Sequence, residues 1–196
     1  YLVGGSTDGT TYATTVERAT IGGTGLVTSW STASQTQLST GRRDHATVQY
    51  NGYIYVLGGR ESVAGTVATV LYSQISGGNV GAWSSTTSLP GARRALSAVA
   101  YNGYIYAVGG DSGTAGTAAQ TSFYSAPIKG DGSLGAWTTL SGSNPLPSAR
   151  FDGALVASNN ALYYIGGDSN SGTATATTYY IFLDGNGGVA GSWIQE

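Results

Sequence analysis

An all-β protein built from repeated four-stranded antiparallel sheets is what this sequence predicts, and three observations carry that expectation. An apolar-Gly-Gly signature returns four times within 196 residues, and a single tryptophan follows each copy. Asn-Gly or Asn-Asn dipeptides divide pairs of short apolar runs. No segment carries the 3.6-residue apolar period of a helix.

The signature reads Leu2-Val3-Gly4-Gly5, Val56-Leu57-Gly58-Gly59, Ala107-Val108-Gly109-Gly110 and Tyr164-Ile165-Gly166-Gly167, at spacings of 54, 51 and 57 residues. The tryptophans, Trp30, Trp83, Trp137 and Trp193, keep the same rhythm at 53, 54 and 56. A period of that length marks a repeat architecture. Each unit is expected to hold four strands. The first is apolar and small, as in Ala46–Tyr50 and Leu96–Tyr101, and ends at Asn51-Gly52, Asn102-Gly103 or Asn159-Asn160. These dipeptides accept the positive φ values of a type I′ hairpin turn. The second strand, Tyr53–Leu57, recurs almost unchanged at Tyr104–Val108 and ends at the glycine doublet. A polar loop leads to a third strand with an aromatic, as in Leu71-Tyr72 and Phe123-Tyr124, and a Gly-rich turn such as Lys129–Gly132 leads to a fourth that opens on Gly-Ala-Trp. One such sheet cannot bury both its faces. Radial stacking of several, as in a β-propeller, does so.

The doublet closing the second strand, the tyrosine about a dozen residues on, the later tryptophan and the opening arginine (Arg42, Arg93, Arg150) together resemble the kelch repeat. The resemblance covers essentially the whole chain and implies about four propeller blades, at roughly 1–41, 42–92, 93–149 and 150–196. The first unit departs from it twice. Arg18 stands where the others carry the aromatic, and Tyr1–Gly5 is already a second strand, so this blade is expected to lack its inner strand. Two expectations follow: that the chain is part of a larger propeller, or that another copy complements the incomplete blade as a subunit of an extracellular filament.

Composition bounds the chemistry. Charged residues make up 9% of the chain and the net charge is −2, which offers no basic field for nucleic acid. Low charge with many Ser and Thr points to an extracellular or cell-surface protein of a microbe. With no cysteine there is no disulfide, thiolate metal site or thiol nucleophile. No apolar run is long enough for a membrane-spanning helix, so membrane insertion is not expected.

Functional candidates are few. His45, the one histidine, lies beside Asp44, but its counterparts are Leu96 and Gly153, which favours a structural role and leaves no copper site of the kind found in galactose-oxidase-like kelch enzymes. Asp8, Asp111 and Asp168 follow the doublets in loops where short polar side chains bond nearby backbone. Five of the eight basic residues, Arg42, Arg43, Arg93, Arg94 and Arg150, fall at one place in successive units. In a propeller they share one rim. There they either bind carbonyls and the carboxylates of Asp44 and Asp152, or hold a carboxylate or anionic sugar. The expectation is a non-catalytic, cofactor-free module that binds protein or glycan through its loop faces. The alternative is part of a carbohydrate-active enzyme whose catalytic groups lie outside these residues.

Overall fold

The structure, a computed structural model, describes residues 1–113, 116–170 and 172–196. Among them it is all-β, a series of small antiparallel sheets without a helix. Among the described residues no helix is long and apolar enough to cross a membrane.

The first sheet has three strands in the order β1 (Leu2–Val3), β2 (Val16–Ile21), β3 (Val27–Ser31). In the second unit follow β4 (Arg42–Arg43), β5 (Ala46–Tyr50), β6 (Tyr53–Leu57), β7 (Arg60–Glu61), β8 (Gly65–Thr66), β9 (Val70–Ser76), β10 (Asn79–Val80) and β11 (Ser84–Thr86). Here β5, β6, β9 and β10/β11 form the main sheet, while β4, β7 and β8 make a separate three-stranded one. The third sheet runs β12 (Ser97–Tyr101), β13 (Tyr104–Val108), β14 (Phe123–Pro127), β15 (Thr138–Thr139). The fourth runs β16 (Ala154–Ser158), β17 (Ala161–Ile165), β18 (Thr178–Leu183), β19 (Val189–Gln195). At each two-residue turn both positions have positive φ, for example 46° at Asn51 and 80° at Gly52, which matches the right-handed twist of the strands that the turn joins.

The fourth strand differs from its expected form. Pairing in the second unit breaks between Val80↔Ile75 and Ser84↔Tyr72, so Gly81-Ala82-Trp83 bulges out. Register shifts occur at the matching place in the first and fourth sheets. A bulge re-aims a side chain, and here it turns the tryptophan toward the preceding unit. The indole N–H of Trp83 donates to Thr36 O at 2.8 Å, Trp137 to Thr87 O at 2.9 Å and Trp193 to Asn144 O at 3.3 Å. Each indole clamps the segment that connects the preceding unit to its own.

Successive sheets stack face to face because the second strand is apolar on both sides. On β6, Ile54 and Val56 pack with Val3, Val16 and Leu38 of the first unit, while Tyr55 and Leu57 pack with Leu96, Ile105 and Ala107 of the third. On β13, Tyr106 and Val108 turn the other way, onto Leu155, Leu162 and Tyr164 of the fourth. Strand alternation thus gives one face to each neighbour. The two end faces differ: Leu2, Ile21, Val27 and Trp30 are exposed on the first sheet, and Ile165, Phe182 and Ile194 on the fourth.

Candidate functional site

The repeated placement of the glycine doublet has a geometric cause. Gly4, Gly58, Gly109 and Gly166 have φ between 59° and 66°, a region strained for any side chain with a Cβ. The first three also have no room for one. A Cβ would stand 2.5 Å from Arg42 O at Gly4, 2.3 Å from Arg93 O at Gly58 and 2.5 Å from Arg150 O at Gly109. Those carbonyls approach because they accept the N–H of the next glycine: Gly5 to Arg42 O at 2.8 Å, Gly59 to Arg93 O at 2.7 Å, Gly110 to Arg150 O at 2.8 Å. Each arginine N–H in turn donates to the same preceding unit, at Ala13 O, Val67 O and Gln120 O. The main chain of each opening arginine is therefore a latch between adjacent sheets.

Its side chain turns back into its own unit. The Arg42 guanidinium donates to Gly58 O (2.9 Å), Thr69 O (3.2 Å) and Thr69 Oγ1 (2.8 Å), and pairs with Glu61. It is only 2% exposed; burial lowers its pKa, and Glu61 opposes that shift. Arg93 donates to Ala92 O, Ser122 Oγ and Tyr124 Oη, and Arg150, also buried, to Thr177 Oγ1. Two of these hydroxyl partners share one offset, Thr69 and Thr177 each lying eleven residues after the first glycine of their doublet, whereas Ser122 lies thirteen after Gly109.

The second arginine of each pair sits differently. Arg94 bridges Asp44 (3.1 Å) and the fully buried Asp111 (2.8 Å). Burial pushes the Asp111 carboxyl up, but N–H donors from Gly113 and Gly116, with Arg94, outweigh it and hold it below the usual range. Asp152 makes no ion pair among the described residues; burial and then Asp44 raise its pKa, and the Arg94 cation only partly opposes them. Arg43 lies with its guanidinium carbon 4.8 Å from the centre of the Tyr12 ring, and Asp44 is 3.8 Å from its Nε. Among the described residues that is its one ion pair, and it is a long one. Tyr12 had no signal in the repeat, because at its offset from the glycine doublet the other units carry Thr66, Thr117 and Ala174.

Asp44, Ala95 and Asp152, each two residues after an opening arginine, share φ near 53°. Ala95 N–H donates to Asp44 O (2.6 Å) and Asp152 N–H to Ala95 O (2.9 Å), a hydrogen-bonded chain from unit to unit along the rim. His45 lies next to it. Burial, then the Arg42 cation, lowers its pKa to about 4. Two loop aspartates behave as turn formers: Asp111 accepts from Gly113 N, Gly116 N and Ala118 N, and Asp8 accepts from Thr10 N, Thr11 N and Thr11 Oγ1, bonds that hold its carboxyl well below the usual range, whereas Asp168 Oδ1 is buried without a hydrogen-bond partner among the described residues. Among the described residues no group of three His, Cys, Asp or Glu side chains is placed to hold a metal.

No known protein-family profile matches the chain, and no curated protein matches it. Solved structures do. One, titled "Structure of YjhT", superposes with a TM-score of 0.60 at 17% identity, over 85% of this chain and 48% of that one. The likeness is one of fold, and the chain spans about half the length of that structure.

Proposed function

We propose that this chain is a run of kelch-type propeller blades serving as a non-catalytic, extracellular binding module whose ligand-contacting face is the arginine rim. The repeated latch supports the propeller reading, since the same bonds join the first, second and third units to their successors. On this reading, further blades of the same kind cover the exposed apolar faces of the first and fourth sheets. Contiguous apolar faces of that sort ordinarily mark contact surfaces.

The observation that carries the binding reading is Arg43. Arg42, Arg93, Arg94 and Arg150 are engaged by internal partners, whereas Arg43 is braced on Tyr12 and keeps only a distant carboxylate. A planar guanidinium held on an aromatic face is pre-oriented for a carboxylate. The ligand class is therefore an acidic peptide or an acidic glycan. Isothermal titration with a Glu-rich peptide and with oligogalacturonate tests it. One of the two should bind, and Arg43→Ala should weaken it about ten- to a hundredfold, the range for a charge-assisted hydrogen bond, with thermal stability nearly unchanged. Equal binding by wild type and variant, or no binding of either ligand, would refute the assignment.

A further inference from the structure

In the last three units the first residue after the glycine doublet pairs with the second residue of the rim. Arg60 lies opposite Arg43 in the second unit, Asp111 opposite Arg94 in the third and Asp168 opposite Phe151 in the fourth. Residues directly opposite in an antiparallel ladder share one face, with Cβ atoms about 4.5–5.5 Å apart. The neighbouring pair of the second unit shows that this register carries through to the side chains: Arg42 and Glu61, opposite each other on the other face, form an ion pair.

The three units fill the same pair of positions in three ways. In the third, the ladder gives Arg94 a fully buried carboxylate, with Nη2 2.8 Å from Asp111 Oδ2. In the fourth, an aromatic ring stands in place of the cation. In the second, a second guanidinium stands in place of the aspartate, so two arginines lie across one ladder pair. Like charges directly opposite are destabilising. Asp44 does little to offset them, because its carboxylate is 3.1 Å from Arg94 and 3.8 Å from Arg43. Arg43 and Arg60 are both half-buried, and Arg43 is braced on Tyr12. A local conflict kept in one unit, where its neighbour resolves it with a single carboxylate, is the mark of a functional site.

We propose that Arg43 and Arg60 together form a clamp for a doubly charged oxyanion, a phosphate monoester carried by the ligand. Two guanidinium groups match its charge of about −2 at neutral pH, and their planar donors match its acceptor oxygens. A carboxylate or a sulfate ester brings a single charge and leaves the pair half compensated. The proposal rests on the binding reading of Arg43 and specifies its ligand: Arg43 orients the anion, and Arg60 sets the preference for two charges over one.

The test is isothermal titration of the full chain with two ligand sets. One is a peptide carrying phosphoserine, glutamate or glutamine at a single position; the other is glucose 6-phosphate, glucose 6-sulfate and glucuronate. In at least one set the phosphate should bind about tenfold or more tighter than its singly charged analogues, and the set that shows it identifies the carrier. Arg60→Ala should erase the preference, weakening the phosphate ligand by about tenfold or more, the range for a charge-assisted hydrogen bond. Carboxylate binding should change far less, which also reports that the variant is folded. Arg60→Asp, which recreates the pairing of Arg94 with Asp111, should abolish phosphate binding and leave the Tm of the unliganded chain equal or higher. A phosphate that binds no tighter than the carboxylate in both sets would overturn the proposal, as would a preference that survives Arg60→Ala. A lower Tm for Arg60→Asp would do the same by denying the charge conflict. Equal affinities that Arg43→Ala lowers together would overturn the clamp alone, whereas binding untouched by Arg43→Ala would overturn the binding reading beneath it.

Discussion

Replacing His45 with leucine, the residue at its counterpart Leu96, should remove most of the acid sensitivity of this protein between neutrality and about pH 4.5. Burial and the Arg42 cation hold the imidazole at about 4 in the folded chain, against its ordinary value of about 6.5; a hydrogen bond to the Val3 backbone and Asp44 only partly offset them. The folded pKa is depressed, so the unfolded state binds a proton that the folded state refuses. The stability this neutral histidine allows is complete above about 6.5, falls with pH through the interval, and levels off below about 4. For that pair of values, linkage gives a loss of about 2.5 kcal/mol at pH 4.5 relative to pH 7.5. Urea unfolding of wild type and His45→Leu at both pH values measures it, and the difference between the two proteins is the quantity of interest. Asp152, with its raised pKa, works in the opposite sense just above 3.8, but it is common to both. His45→Gln serves as a second variant that keeps a polar side chain. Identical pH dependence in wild type and both variants would refute the reasoning.

Three substitutions probe the latch and the rim. Gly58→Ala meets both a positive φ and a Cβ position 2.3 Å from Arg93 O, whereas Gly52 at φ 80° has nothing within 4 Å; chemical denaturation should show a loss of about 2–5 kcal/mol for the first and about 1–2 for the second. Ala95→Gly relieves a left-handed alanine at φ 52°, and its midpoint of unfolding should rise by the equivalent of about 0.5–1 kcal/mol. Arg94→Ala strands the buried Asp111 carboxylate and should cost about 3–5 kcal/mol; adding Asp111→Asn should recover part of that loss in a double-mutant cycle.

Much of the fold was legible because its signals are local. Asn51-Gly52 and Asn102-Gly103 specify hairpins by their own backbone preferences, and the unbroken apolar run Tyr53–Leu57 announces a strand buried on both faces. The three-stranded first sheet followed from counting. Less legible was the bulge before Trp83 and Trp193, since it depends on where the indole finds a carbonyl in the preceding unit. The arginines show the limit most clearly. Their recurrence placed Arg42, Arg93 and Arg150 together, but whether a guanidinium turns inward to Thr69 or outward to a ligand is decided by contacts across some sixteen to twenty-seven residues. The distinct position of Arg43 depends on Tyr12, in a loop of the preceding unit, which no repeat pattern reports.

The central claim is that successive sheets are locked by the opening arginines through the glycine doublets, and amide hydrogen exchange followed by NMR tests it most directly. Gly5, Gly59 and Gly110, which donate to Arg42, Arg93 and Arg150, and Ala95 and Asp152 along the rim, should exchange as slowly as the central amides of β6 and β13. Exchange at these five positions as fast as at the exposed turn glycine Gly52 would contradict it.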